Sequence, residues 1–104
     1  MTILTKDNFD NEVLQSKVPV YVDFFATWCG PCRAFAPIFE EFAQELGEKA
    51  GCYKVDVDQS QELAARFDVQ TIPTIVLFQK GQPTERIMGV QSKEVLRSML
   101  EKEE

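Results

Sequence analysis

The rhythm of apolar and polar positions changes several times along the 104 residues. Residues 18–25 are nearly continuously apolar and rich in β-branched and aromatic side chains, which predicts a strand buried on both faces. Phe35, Ile38, Phe39, Phe42, Ala43 and Leu46 then recur at helical spacing, one face of a long helix. Gly47 is a natural stop for it. Pro37 lies inside that helix and predicts a kink, because its ring displaces the carbonyl one turn back. Residues 52–57 predict a second buried strand, 59–67 a short helix and 74–78 a third strand. Lys80-Gly81-Gln82 is a turn signal, and residues 85–88 then form an antiparallel edge strand of a hairpin. Ser92 can cap a last helix whose apolar face holds Val95, Leu96, Met99 and Leu100. At the start, Thr5-Lys6-Asp7-Asn8 offers cap residues ahead of a short amphipathic helix carrying Phe9, Val13 and Leu14. Buried strands alternating with helices, then a hairpin and a helix, define an α/β sandwich with a mixed central sheet. The length suits one domain, residues 1–104, and 44% apolar residues suffice for its core.

Charge narrows the partners. A formal net charge of −6 disfavours phosphate backbones, so no nucleic-acid partner is expected. Residues 1–17 lack the apolar run of a signal peptide, and no stretch approaches a membrane span. The expectation is a cytoplasmic protein with no membrane partner. There are three cysteines and no histidine. So low and odd a count does not resemble a disulfide framework. The missing histidine removes the commonest general base and the commonest zinc ligand.

The chemistry concentrates in Trp28-Cys29-Gly30-Pro31-Cys32. A structural zinc site needs about four Cys or His ligands, and the second ligand pair is absent. Haem attachment needs a histidine after Cys32, where Arg33 stands. A disulfide staple across so short a loop stabilises little, because the effect grows with loop length. A cycling dithiol fits better. The pair lies at a strand-to-helix junction, with Pro31 suited to the first helical position. Cys29 then falls near the N-cap and Cys32 in the first turn, with Cβ atoms ~5–6 Å apart. Free N–H groups at the helix start favour a thiolate on Cys29 by roughly 0.3–2 kcal/mol. Cys32, one turn in, is expected to be more buried and less ionised. The two thiols therefore differ: Cys29 attacks and Cys32 resolves.

"VDFFATWCGPC", an "AP" in the following helix, "KVDVD", "TIPT" before a strand and Gly89 together resemble the thioredoxin family, in its order and spacing over essentially the whole chain. The resemblance implies a thioredoxin fold, a central mixed five-stranded sheet flanked by four helices. It implies general reduction of protein disulfides, with Cys29 matching the nucleophile and Cys32 the resolving cysteine. Asp23 matches the family's buried carboxylate, Lys54 its neighbouring lysine and Pro73 its cis-proline. No cofactor is expected to be bound: electrons are implied to come from NADPH through a thioredoxin reductase. Other implied partners are disulfide-containing proteins such as ribonucleotide reductase, peroxiredoxins and methionine sulfoxide reductases, met by a monomer. Phe25 stands where a second tryptophan is frequent in the family, and Thr71 where glycine is frequent.

Individual residues keep two readings each. Asp23 interrupts an apolar strand. Either the strand frays there and solvates it, or the carboxyl is buried and its pKa raised by desolvation. A buried Asp23 could take the proton of Cys32, directly or through a water. Lys54 is an exposed edge lysine or, as the resemblance suggests, a modulator of Asp23. Trp28 is core, or part of an apolar collar with Ile72, Pro73, Gly89 and Val90 around Cys29, continued by Gly30 and Pro31 as a substrate-binding surface. Gly89 allows close backbone approach or simply makes a turn. A cis-Pro73 would leave the Ile72 backbone free to pair with a substrate strand. Asp56 and Asp58 suit a strand end and a helix cap. Cys52 is a small core residue, with redox sensing open to it only if exposed. Two rivals remain: a thiol oxidant or isomerase on the same fold, which the resemblance associates with histidine between the cysteines, and a non-catalytic binding module.

Overall fold

The computed structural model describes residues 1–101. Four strands form one sheet in the order β2-β1-β3-β4: β1 Val20–Phe25, β2 Gly51–Asp56, β3 Thr74–Gln79 and β4 Gln82–Met88. β2 runs parallel to β1, and β3 runs antiparallel to both β1 and β4, so the sheet is mixed. Among the described residues three α-helices accompany the sheet: α1 Gly30–Leu46, α2 Gln61–Arg66 and α3 Lys93–Glu101. The expected first helix is a short π-helical segment, Asp10–Leu14, preceded by a turn in which Thr5 N–H donates to Asn8 Oδ1 at 2.9 Å.

The implied five-stranded sheet is corrected to four strands among the described residues. At the outer edge of β2, Ile3 pairs with Lys54 only as an isolated parallel bridge. Leu4 N–H donates to Lys54 O at 2.7 Å, and Lys54 N–H donates to Thr2 O at 3.1 Å. The chain turns at Thr5–Asn8 immediately afterwards, so no longer ladder develops.

Strand position explains the hydrophobic pattern. β1 and β3 are central and buried almost throughout, as their largely apolar runs require. β2 was expected to be fully buried. It is an edge strand, and residues 51–54 are only half-buried. β4 is the other edge, longer than expected and largely exposed. Pro83 is tolerated there because an edge strand has no outer ladder to donate to.

Alternation along β1 splits the core in two. Val20, Val22 and Phe24 pack with Phe9, Val13, Leu63, Val76 and Phe78 on one face. Tyr21 packs with Phe35, Phe39, Phe42, Ile75, Leu77 and Leu96 on the other, under α1 and α3. Its hydroxyl donates to Leu96 O at 2.6 Å, satisfying a buried polar group. Asp23 and Phe25 follow Tyr21 on this second face. α1 continues through the exposed Pro37. Ser92 caps the last helix as its sequence suggests: Val95 N–H donates to its hydroxyl at 3.2 Å.

The β3–β4 turn contains Gly81 at φ +78°, where an added Cβ would lie 2.9 Å from the Leu14 carbonyl oxygen. Gly81→Ala is therefore expected to lower the unfolding free energy by roughly 1–3 kcal/mol. An unchanged urea midpoint would mean that the hairpin moves off Leu14 without cost.

Candidate active site

β1 delivers the chain to the site and α1 carries it away. Cys29 is the N-cap of α1, with extended backbone dihedrals of −85° and 115°. Its sulfur accepts the Cys32 N–H at 3.2 Å, one of the orphan donors of the helix start. The helix begins at Gly30, so Pro31 sits one position later than expected, still within the turn whose N–H groups have no helical partner. Cys29 and Cys32 form a disulfide, with Cα atoms 5.2 Å apart. Cys32 is the deeper by a narrow margin, 2% exposed against 4% for Cys29.

The two sulfurs face different surroundings. Cys29 Sγ lies 3.9 Å from the Ile72 carbonyl oxygen. The Ile72–Pro73 bond is cis, and Pro73 O accepts Gly89 N–H at 2.8 Å, which draws the Gly89-Val90 segment to the same edge. Gly89 adopts φ +90°, so its glycine is demanded by the backbone. Trp28 is 67% exposed and is not core. Val90 is exposed, Ile72 half-buried, Pro73 buried, and Gly30 and Pro31 exposed. Of the expected collar, the structure sets Ile72 against Cys29 and ties Gly89 to Pro73. Cys32 instead lines a cleft of about 250 Å³ together with Phe25, Ala26, Thr27, Arg33, Ala36 and Lys54.

Asp23 does not fray into solvent. It is fully buried in the middle of β1, and both carboxylate oxygens lack a hydrogen-bond partner. Burial pushes its pKa up to about 7, against a smaller opposing effect from the Lys54 ammonium. Lys54, on β2, is the register partner of Asp23 and is half-buried, which corrects the exposed-edge reading. Its Nζ lies 4.2 Å from the Phe25 ring centroid.

Two residues of this region were missed. Asp58 Oδ2 accepts the Trp28 indole N–H at 2.7 Å and fixes the ring beside Cys29. Asp58 therefore does not cap α2: Ser60 is at the N-cap, while Asp56 accepts from Asp58 N–H and Gln59 N–H in the preceding turn. Met88 is exposed next to Gly89 and extends the apolar rim. No local signal marked Asp58, since its indole partner lies thirty residues away in the chain. Alternation on an edge strand could have marked Met88. Cys52 is at the core's rim rather than fully inside it, and burial raises its thiol pKa to about 12.

The thioredoxin family profile matches residues 1–102. The thioredoxin of Staphylococcus saprophyticus is 46% identical over 99 residues, covering 95% of this chain and 93% of that protein. The thioredoxin of Mycobacterium tuberculosis is 47% identical over 93 residues, covering 89% of this chain and 80% of that protein. A bifunctional thioredoxin reductase/thioredoxin of Mycobacterium leprae is 48% identical over 93 residues, 89% of this chain and 20% of that longer protein. With this kinship, this sheet and a disulfide at the start of α1, the chain belongs to the thioredoxin family, as a thiol–disulfide oxidoreductase that reduces protein disulfides by dithiol–disulfide exchange.

Proposed function

We propose that Cys29 is the attacking thiol of this exchange and Cys32 the resolving one. The observation that carries the assignment is their unequal setting. Cys29 caps the helix start with its sulfur 3.9 Å from the Ile72 carbonyl oxygen, and Cys32 lines the cleft with Lys54. The helix-start N–H groups favour a thiolate at Cys29. That thiolate attacks one sulfur of a substrate disulfide, forms a Cys29–substrate mixed disulfide and expels the first substrate thiolate. Cys32 then gives its proton to ionised Asp23, and its thiolate attacks Cys29 Sγ. The second substrate thiolate leaves, and Cys29–Cys32 closes. Two electrons pass to the substrate, whose two thiolates take up protons. A carboxyl with its pKa near 7 is half ionised at neutral pH, so it can both take a proton and lose it again. Lys54 modulates that carboxyl.

Trp28, Gly30, Pro31, Ile72, Pro73, Gly89 and Val90 form the substrate-binding surface in this reading. Its exposed apolar area suits flexible disulfide-bearing segments, and the Ile72 backbone offers strand-like pairing. The substrate class includes ribonucleotide reductase, peroxiredoxins and methionine sulfoxide reductases. Regeneration falls to a thioredoxin reductase drawing on NADPH, in the cytoplasm. The linked reductase and thioredoxin named in the Mycobacterium leprae relative support such a partner. Among the described residues no helix is long and apolar enough to cross a membrane.

The test is insulin-disulfide reduction with NADPH and a bacterial thioredoxin reductase. The wild type is expected to turn over, and Cys29→Ser to fall to background. Absence of turnover in the wild type would instead make the chain a binding module, and turnover at the wild-type rate in Cys29→Ser would remove Cys29 from the chemistry.

A further inference from the structure

Phe25, Asp23 and Lys54 share one face of the sheet. Asp23 and Phe25 are two apart on β1, so their side chains project to the same side. Lys54 is the register partner of Asp23 on the parallel neighbour and projects with it. Two oppositely charged side chains so placed are in reach of each other, yet they do not pair. Both Asp23 oxygens lack a hydrogen-bond partner, and among the described residues Lys54 forms no ion pair. The ammonium instead lies over the Phe25 ring, 4.2 Å from its centroid. Phe25 and Lys54 both line the cleft that reaches Cys32.

We propose that Phe25 is a positioning residue: its ring seats the Lys54 ammonium at the cleft wall, so that the charge acts on Asp23 through space without ion-pairing with it. A cation over an aromatic face gains ~0.5–2 kcal/mol, more as the pair leaves water. Phe25 is buried and Lys54 half-buried, so the seat is partly desolvated. A direct ion pair would hold Asp23 ionised and weaken it as a proton acceptor. A lysine released into water would act on it less. The ring keeps the charge between those extremes. On the same face of the sheet Tyr21 precedes Asp23 on β1 and Cys52 precedes Lys54 on β2, the cleft lined by Phe25 and Lys54 also holds Cys32 and Arg33 of α1, and β3 presents Ile75 opposite Asp23. Arg33 is exposed and donates to Thr27 O at 2.9 Å, away from the buried carboxyl. Lys54 is thus the cation that the seat controls.

This proposal rests on the reading of Asp23 as the acceptor of the Cys32 proton, and its test separates the two. The Asp23 carboxyl is titrated by ¹³C NMR in the oxidised protein, and the rate of mixed-disulfide resolution is followed against pH. In Phe25→Leu the lysine loses its seat and moves toward water. The Asp23 midpoint is then expected to rise by roughly half a pH unit, from a lost unit charge at short range. Phe25→Trp, which keeps an aromatic face, is expected to restore the midpoint. In a Lys54→Met background, Phe25→Leu is expected to leave it unmoved. An unshifted midpoint in Phe25→Leu overturns the seat. So does a shift that persists without Lys54, which would make the ring a mere shield against water. If the midpoint moves as expected while the pH profile of resolution stays still, the seat stands and the proton-acceptor role of Asp23 falls.

Discussion

Cys32→Ser is expected to turn a cycling reductase into a trap. Cys29 keeps its place at the helix start and still attacks a substrate disulfide. Serine cannot attack the mixed disulfide, because an alcohol at neutral pH supplies almost no oxyanion and forms no S–S bond. Substrates therefore stay attached through Cys29, and turnover falls to background while the first attack persists. The geometry gives the reason. Cys29 and Cys32 are within disulfide distance, Cα to Cα 5.2 Å, so resolution in the wild type is intramolecular. Well-oriented intramolecular groups reach effective concentrations of ~10⁵ M or more, far above any thiol in solution. The check is non-reducing electrophoresis with mass spectrometry after exposure to an oxidised substrate. Adducts on Cys29 that a free thiol such as dithiothreitol releases are the expected result. Absence of adducts, with Cys29 shown to be free, would refute the division of roles.

Asp23→Asn is expected to stabilise the fold and slow the chemistry. Burial raises the Asp23 pKa to about 7 from an ordinary value of 3.8. Below pH 3.8 the carboxyl is protonated in both folded and unfolded chains, and ionisation has no effect on stability. Between 3.8 and 7 the unfolded chain loses this proton while the folded chain keeps it, so stability falls as pH rises. Above 7 both are ionised and the full penalty stands, about three pH units at ~1.4 kcal/mol each, or about 4 kcal/mol. Asparagine carries no charge and escapes it, while still burying a polar group without partners. The variant is therefore expected to gain on the wild type from pH 4 to pH 8, by up to about 4 kcal/mol in unfolding free energy. Resolution by Cys32 is expected to slow, because its proton acceptor is gone. Urea unfolding at pH 4, 6 and 8 measures the first effect, and single-turnover release of a mixed disulfide the second. A stability difference independent of pH would show that Asp23 is already ionised in the folded protein. An unchanged release rate would remove it from the mechanism.

Stability and function thus oppose each other at one position. The carboxyl lies in the middle of β1, where folding needs no polar group. Its cost is borne by a core that packs aromatic side chains on both faces of the sheet.

Local pattern was enough for much of this. The nearly continuous apolar run of β1, the helical spacing from Phe35 to Leu46 and the Lys80-Gly81 turn each marked their elements, because short-range periodicity reflects which face is buried. Trp28-Cys29-Gly30-Pro31-Cys32 marked the disulfide for a similar reason. Its spacing, helix start and lack of histidine are all local properties. The burial of Cys52 was overestimated because periodicity does not say which strand lies at an edge. The fifth strand shrank to one bridge for a comparable cause: edge pairing depends on where the chain turns next.

By itself, then, the sequence determined the alternation of helices and strands, the reactive pair and its place at a helix start. These follow from contacts within a few residues. Only the tertiary structure decided that Asp23 is sealed from water, that Lys54 rests on Phe25 without pairing with it, and that Asp58 holds the Trp28 indole. It alone brought Ile72 to Cys29 and Gly89 to Pro73. Those relations join residues from separate strands and loops. Desolvation and charge depend on what surrounds a group in space, which no local spacing records.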